Sequence, residues 1–179
     1  MRADARRNAE RIRAAAAEAF AEHGIDVPLE DIARRAGVSP GTIYHRFGSR
    51  EGLTDAVVAD VAAEKLATAV AATAGATPWE RFSSYVFALG AAQAADPTFN
   101  AIVARRHPES VALREVTSQA VAHAAPLMEA AQADGTLRDD VSGEDLDRLI
   151  WLNAQAVRLG DDWWRRSLEI FLNGLRADR

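Results

Sequence analysis

Five side chains between positions 42 and 50 could together recognise a ligand: Thr42, Tyr44, His45, Arg46 and Arg50. A hydroxyl, a phenol, an imidazole and two guanidinium groups offer hydrogen-bond donors to phosphate oxygens and to base edges, and have little reason to sit in a core. Gly41, just before them, carries no side chain, so the backbone there can approach a ligand closely. Nothing comparable points to catalysis. The histidines, at 23, 45, 107 and 123, form no HExxH-type pair, and no glycine-rich phosphate loop or nucleophile elbow occurs. The chain has no cysteine, which excludes disulfides and thiolate metal sites. The expectation is therefore a binding protein rather than an enzyme, with no metal and no cofactor.

The segments that must position these side chains are short and sharply punctuated. Leu29, Ile32, Ala33 and Ala36 recur at helical spacing, and Gly37 stops that helix, since glycine adopts a left-handed C-cap at little cost. Ser39 can cap the next helix with its hydroxyl, and Pro40 suits its first turn. Ile43 and Phe47, four residues apart, share the inward face of this second helix, which leaves Thr42, Tyr44, His45 and Arg46 pointing elsewhere. Gly48 ends it, Ser49 caps a third helix, and Arg50 opens that helix against the dipole, a placement that a nearby phosphate would explain. Two helices joined by so tight a turn form a helix-turn-helix, whose second helix enters the DNA major groove.

The run AGVSPGTIYHRFGSREGL resembles the DNA-binding signature of the TetR family of transcriptional regulators, and the motif match extends over Ile12 to Val58. The resemblance implies an all-α fold: an N-terminal three-helix bundle with a helix-turn-helix, followed by a larger helical domain for ligand binding and dimerisation. It also implies a homodimer on a palindromic, double-stranded DNA operator, usually repressing, and released by a small-molecule effector. Carried over by position, Thr42, Tyr44, His45 and Arg46 face the groove and Arg50 meets a phosphate, with Ser39 and Gly41 in the same binding segment. One departure matters. Many relatives open the first helix of the motif with Thr or Ser, whereas this chain has Val27 and Pro28, which leaves Asp26 as the expected cap.

Charge is distributed to match. The chain carries a formal −5, yet residues 1–50 hold nine arginines against seven acidic residues, a net of +2, which leaves −7 for the remainder. A mildly basic head on an acidic body is the asymmetry expected when only the head meets phosphate. The division expected is a DNA-binding domain over 1–50 and a ligand-binding and dimerisation domain over 51–179. The first helix, about Asp4 to His23, places Ile12, Ala16, Ala19 and Phe20 inward. Its Arg6 and Arg7 read equally as a solvated helix end or as contacts to backbone phosphate or an adjacent minor groove. No apolar run is long enough to span a bilayer and no signal-peptide core precedes this helix, so a cytoplasmic protein with no membrane partner is expected.

A long helix from Ser49 to about Thr73 is predicted next, with Leu53, Val57, Val61, Leu66 and Val70 inward; shared between head and body, it is the lever between them. Helices over about 78–95, through Phe99 to near Arg105 and Arg106, and over about 109–133 follow, the last containing Pro126. Ser142 is a possible cap for a helix over 143–159, and a final helix covers 161–177. The last carries Trp164, Leu168, Phe171, Leu172 and Leu175 in one stripe, and its predecessor is apolar over a broad arc through Leu146, Leu149, Ile150, Leu152 and Val157. Such wide apolar faces suit a four-helix homodimer interface through the last two helices. Candidates to line a pocket for a small, largely apolar effector are Trp79, Phe82, Tyr85, Phe99, His107, His123, Met128, Trp151, Asn153 and Gln155. Each reads as readily as ordinary core or interface. The contrasting reading is a helical small-molecule-binding or interaction protein without sequence-specific DNA binding, in which Tyr44, His45 and Arg46 are buried or paired off.

Overall fold

The computed structural model describes residues 2–105, 111–160 and 162–177, and among these the regular elements are helices. Three form the head with the start of a fourth: α1 (Arg2–His23), α2 (Leu29–Ala36), α3 (Pro40–Phe47) and α4 (Arg50–Ala71). The body adds α5 (Pro78–Ala95), α6 (Pro97–Arg105), α7 (Val111–Ala133), α8 (Gly143–Val157) and α9 (Trp163–Leu175). The predicted boundaries hold to within about two residues where they can be compared. Arg106, His107 and Pro108, the predicted end of the short helix, lie outside the described residues, as does Asp161.

Two separate cores form. In the head, Ile12, Ala16 and Phe20 of α1 meet Ile32 and Ala36 of α2, Ile43 of α3, and Leu53 and Val57 of α4. Alanine at 15, 16, 19, 33 and 36 lets these short helices approach closely around the isoleucine, leucine, valine and phenylalanine side chains. In the body, Phe82, Tyr85, Val86 and Leu89 of α5 pack against Leu66 and Ala69 of α4, Met128 of α7, Leu149 of α8, and Trp164 and Leu168 of α9. Helix α4 contributes buried residues to both. Of its predicted inward positions Leu53, Val57 and Leu66 are buried, whereas Val61 and Val70 are half-buried and Val58, Ala62 and Ala69 complete the face. Two ion pairs brace it: Asp60 to Arg13 of α1 at 3.3 Å, and Lys65 to Asp96 at 3.2 Å. Asp96 also caps α6, accepting the Phe99 amide at 3.0 Å.

Capping explains most of the boundaries. Thr77 with Glu80, and Ser142 with Asp145, form reciprocal capping boxes at α5 and α8. The cap of α2 differs from expectation. Pro28 itself takes the N-cap position without a side-chain bond, and its carbonyl accepts the Asp31 and Ile32 amides, so the N-cap falls two residues after Asp26. The last helix also corrects the predicted stripe: Trp164, Leu168 and Leu172 are buried, but Phe171 points outward and is 45% exposed. Pro126 lies within a continuous α7.

Candidate nucleic-acid interface

The turn between α2 and α3 is built from backbone bonds that only one residue type makes cheap. Gly37 adopts φ +63°, its amide reaches the Arg34 carbonyl at 3.2 Å, and the Val38 amide reaches Ala33 at 3.0 Å. This Schellman closure satisfies the last carbonyls of α2 and turns the chain at once. Ser39 then caps α3, its Oγ accepting the Thr42 amide at 3.3 Å and lying 3.0 Å from the Thr42 hydroxyl. At the other end Gly52 seats α4 against α3. A Cβ at position 52 would lie 2.2 Å from the Phe47 carbonyl oxygen, so only glycine permits that approach. Spacing in the sequence gives no hint of this contact.

With α3 fixed at both ends, its faces separate. Ile43 is fully buried and Phe47 half-buried against the head core, while Tyr44, His45 and Arg46 are exposed, Tyr44 by 51%. Among the described residues, none of these three side chains forms a hydrogen bond or ion pair. That is the opposite of what a head retired from binding would show. Gly41 and Ser39 are exposed beside them, and Thr42 is half-buried through its contact with Ser39. Arg50 also has an internal partner: its guanidinium donates to the Ile25 carbonyl at 2.8 Å, pinning the α1–α2 loop.

A second clamp, absent from the sequence reading, holds α2 against α1. Arg35 donates to both carboxylate oxygens of Glu22 and lies 3.3 Å from the His23 ring. The Arg35 hydrogen bond draws the Glu22 carboxyl below the usual glutamate range, although the pair sits at the surface. Along α1, Arg6 pairs with Glu10 at 3.5 Å, Arg11 donates to Asn8 at 3.0 Å, and Arg7 and Arg11 line an open surface groove.

The body contains a mostly apolar cavity of about 140 Å³ between α4, α5, α6, α7 and α8. Of the predicted pocket residues, Phe99 and Trp151 line it. The other described ones have partners of their own in the packed body. Phe82 and Met128 belong to the packed core, and Trp79 meets the Phe82 ring in a tilted contact at 5.9 Å between centroids while the Arg176 guanidinium lies over Trp79. Tyr85 is fully buried, donates its hydroxyl to the Ala120 carbonyl at 2.9 Å, and faces His123 at 5.0 Å between ring centroids. Burial alone pushes the Tyr85 phenol up to about 12. Asn153 donates to Gln93, which donates to the Ile150 carbonyl, so that pair joins α5 to α8. Trp151 and Gln155 both donate to the Ala104 carbonyl, at 3.1 and 3.3 Å, tying α8 to α6. His107 lies outside the described residues. No cluster of metal-ligating side chains occurs among the described residues, and none of their helices is long and apolar enough to cross a membrane.

Comparison with known proteins agrees with this architecture. The family model for bacterial regulatory proteins of the tetR family matches residues 12–57, and that for the SbtR-like transcriptional regulator C-terminal domain matches residues 75–177. The chain is 48% identical over 62 residues to the HTH-type transcriptional regulatory protein RaaS of Mycobacterium tuberculosis, a match covering 35% of this chain and 29% of that protein. It is 30% identical to the TetR transcription regulatory protein from Mycobacterium vanbaalenii, whose crystal structure aligns with a TM-score of 0.59 over 98% of this chain and 99% of that one. A TetR-family transcriptional regulator from Pectobacterium atrosepticum aligns at 25% identity and a TM-score of 0.72, over 99% and 98% of the two chains. A helix-turn-helix core over the first of these matches and a helical body over the second place this chain in the TetR family of transcriptional regulators.

Proposed function

We propose that the protein binds a palindromic double-stranded DNA operator as a homodimer, acts as a cytoplasmic repressor, and releases the DNA when a small, largely apolar effector enters the body. The observation that carries this reading is the division of α3: Ile43 is locked into the core while Tyr44, His45 and Arg46 stand exposed and uncommitted. In the major groove, Tyr44, His45 and Arg46 meet base edges, and Ser39, Gly41 and Thr42 bring the start of α3 close to the backbone. Arg50 keeps donors beyond the one given to Ile25, and these reach a phosphate. Residues 1–50 form the DNA-binding part and 51–179 the ligand-binding and dimerising part, with the first turns of α4 packed into the head.

Dimerisation falls to α8 and α9. Leu152 on α8 and Trp163, Ile170 and Phe171 on α9 are each more than 40% exposed, and the α9 residues follow a single helical face. Two copies of this surface, related by a two-fold axis, cover each other and set two heads about one DNA turn apart, on the order of 34–36 Å. Effector coupling runs through α4, which carries cavity residues Ala62 and Leu66 two turns beyond the head residues Leu53 and Val57. An effector that prefers one position of α4 shifts the head spacing by its differential affinity.

The test is a titration against the DNA flanking the gene, at two salt concentrations with an unrelated competitor duplex, followed by selection from a random duplex pool. Competitor-resistant, salt-sensitive binding with two protomers per site is expected. Tyr44→Ala or Arg46→Ala then costs about 1–3 kcal/mol on the selected site, whereas Arg50→Ala weakens all sequences alike and flattens the salt slope. Failure to select any sequence from the pool sinks the proposal.

A further inference from the structure

Where α5, α6 and α8 meet, three buried side-chain amides leave acceptors without donors. Gln93 donates to the Ile150 carbonyl at 3.0 Å, Asn100 to the Ala154 carbonyl at 3.1 Å, and Asn153 to the Gln93 oxygen. Each amide nitrogen thus has a partner, yet Oδ1 of Asn100 and Oδ1 of Asn153 meet no donor among the described residues. A carbonyl partner requires the nitrogen, so the Ala154 bond decides which end of the Asn100 amide is left over. Asn100 is only 4% exposed, and a buried amide oxygen without a donor is uncommon. Asn100 and Gln93 line an open groove whose walls include the small apolar side chains of Ala94, Ala101 and Val157. Arg158, the C-cap of α8, completes it; this residue is exposed, and its guanidinium forms no hydrogen bond or ion pair among the described residues. The groove lies on a different face of α6 from the apolar cavity: Phe99 and Val103 border the cavity, Asn100 and Ala104 the groove.

From this pairing of a free acceptor with a free cation we infer that the groove is a second binding site, for a small carboxylate that also carries a hydroxyl group. The hydroxyl donates to Asn100 Oδ1, and the carboxylate pairs with the Arg158 guanidinium. The short carbon chain between them lies against Ala94, Ala101 and Val157. A neutral hydroxyl suits the inner end better than an ammonium, because Gln93 and Asn100 are uncharged and no carboxylate occurs in the described lining. The same lack of a carboxylate leaves nothing to repel the anion. This inference requires neither DNA binding nor an occupant of the apolar cavity, and so stands apart from the function proposed above.

The experiment is a titration of the isotope-labelled full chain with glycolate, β-hydroxypropionate and γ-hydroxybutyrate, read by NMR at the Asn100 side-chain amide. Butyrate, which lacks the hydroxyl, and butanediol, which lacks the charge, are the controls. Arg158→Gln removes the cation from an exposed position, and Ala101→Leu fills the groove from a half-buried one; a parent-like melting temperature shows that each folds. At least one hydroxy acid is expected to move the Asn100 signals saturably, and to bind about tenfold or more tighter than either control. Arg158→Gln is expected to weaken it by about tenfold, and Ala101→Leu to abolish the shift. Asn100 signals unmoved by every probe show that water alone meets this oxygen, and overturn the site. Butyrate binding as tightly as γ-hydroxybutyrate, or a hydroxy acid undiminished by Arg158→Gln, overturns the ligand class. A shift that survives Ala101→Leu places the probe outside the groove and overturns the site as well.

Discussion

The two halves of the molecule are stabilised in different ways. The head closes over Phe20, a set of isoleucine, leucine and valine side chains and five alanines, with its geometry set by turns, caps and a glycine contact. The body is built on Phe82, Tyr85, Leu168 and other large side chains, with a buried amide pair and a cavity among them. Local backbone signals hold a short recognition helix in place with little volume to spare, whereas a large core tolerates a void. The first arrangement suits a rigid surface read by DNA, the second a space that a ligand can fill.

The sharpest test of this contrast is Phe82→Ala. Phe82 is fully buried at the centre of the body, so truncation costs about 3–5 kcal/mol in global stability, measured by denaturant titration. If the two cores are separate, hydrogen exchange shows protection falling most in α5 and α7 and much less in α1 and α3. Equal loss in both halves shows that α4 joins them into one cooperative unit.

A smaller effect separates packing from polar pairing inside the body. Asn153→Ala leaves the buried Gln93 acceptor without its donor and costs about 1–3 kcal/mol. Replacing both, as Gln93→Met with Asn153→Leu, removes the orphaned group and recovers most of that loss. A double variant no more stable than Asn153→Ala shows that shape at the close approach of Gly90, rather than hydrogen bonding, is what position 153 supplies.

The head was the more legible half in the sequence because its rules are local. Gly37, Ser39 and Pro40 announce a stop and a start within four residues, and Ile43 and Phe47 fix which face turns inward. Contacts between distant positions left no such trace. The Arg50 bond to Ile25, the Glu22–Arg35 clamp and the Gly52 approach each depend on where helices meet, not on spacing within one. The same holds for the body. Periodicity identifies Phe82, Met128 and Phe99 alike as inward, but only packing decides that Phe99 borders a void while the other two fill the core. Phe171 shows the converse: its spacing places it in the apolar stripe of the last helix, and the packing of α9 leaves it exposed.

Local control of the head predicts a measurable cost for one hydroxyl. Ser39→Ala removes the acceptor for the Thr42 amide and costs about 1 kcal/mol, within the usual range for a lost N-cap. Because the cap also sets the start of α3, operator affinity falls with stability, whereas Ser142→Ala in the body lowers stability without touching operator binding. Equal effects of the two variants on operator affinity refute local control.

The smallest effect expected is in acid. Glu22 is held below the ordinary glutamate value of 4.5 first by its hydrogen bond from Arg35, and Glu80 first by the backbone amide of Thr77. A depressed folded value means that the charged form is favoured by folding. The stability each contributes is therefore complete above about pH 4.5 and is lost as pH falls through the lower, folded value. Both groups are solvent-exposed, so solvent and salt screen the effect and high salt reduces it further. Melting curves between pH 6 and 3 are expected to shallow in slope with either Glu22→Gln or Glu80→Gln. Exchange measured in acid separates the regions: Glu22→Gln alters the pH dependence of protection in α2, and Glu80→Gln that in α5. A Glu22→Gln variant with the parent's pH dependence in α2 shows that the clamp contributes geometry to the head but no charge-dependent stability.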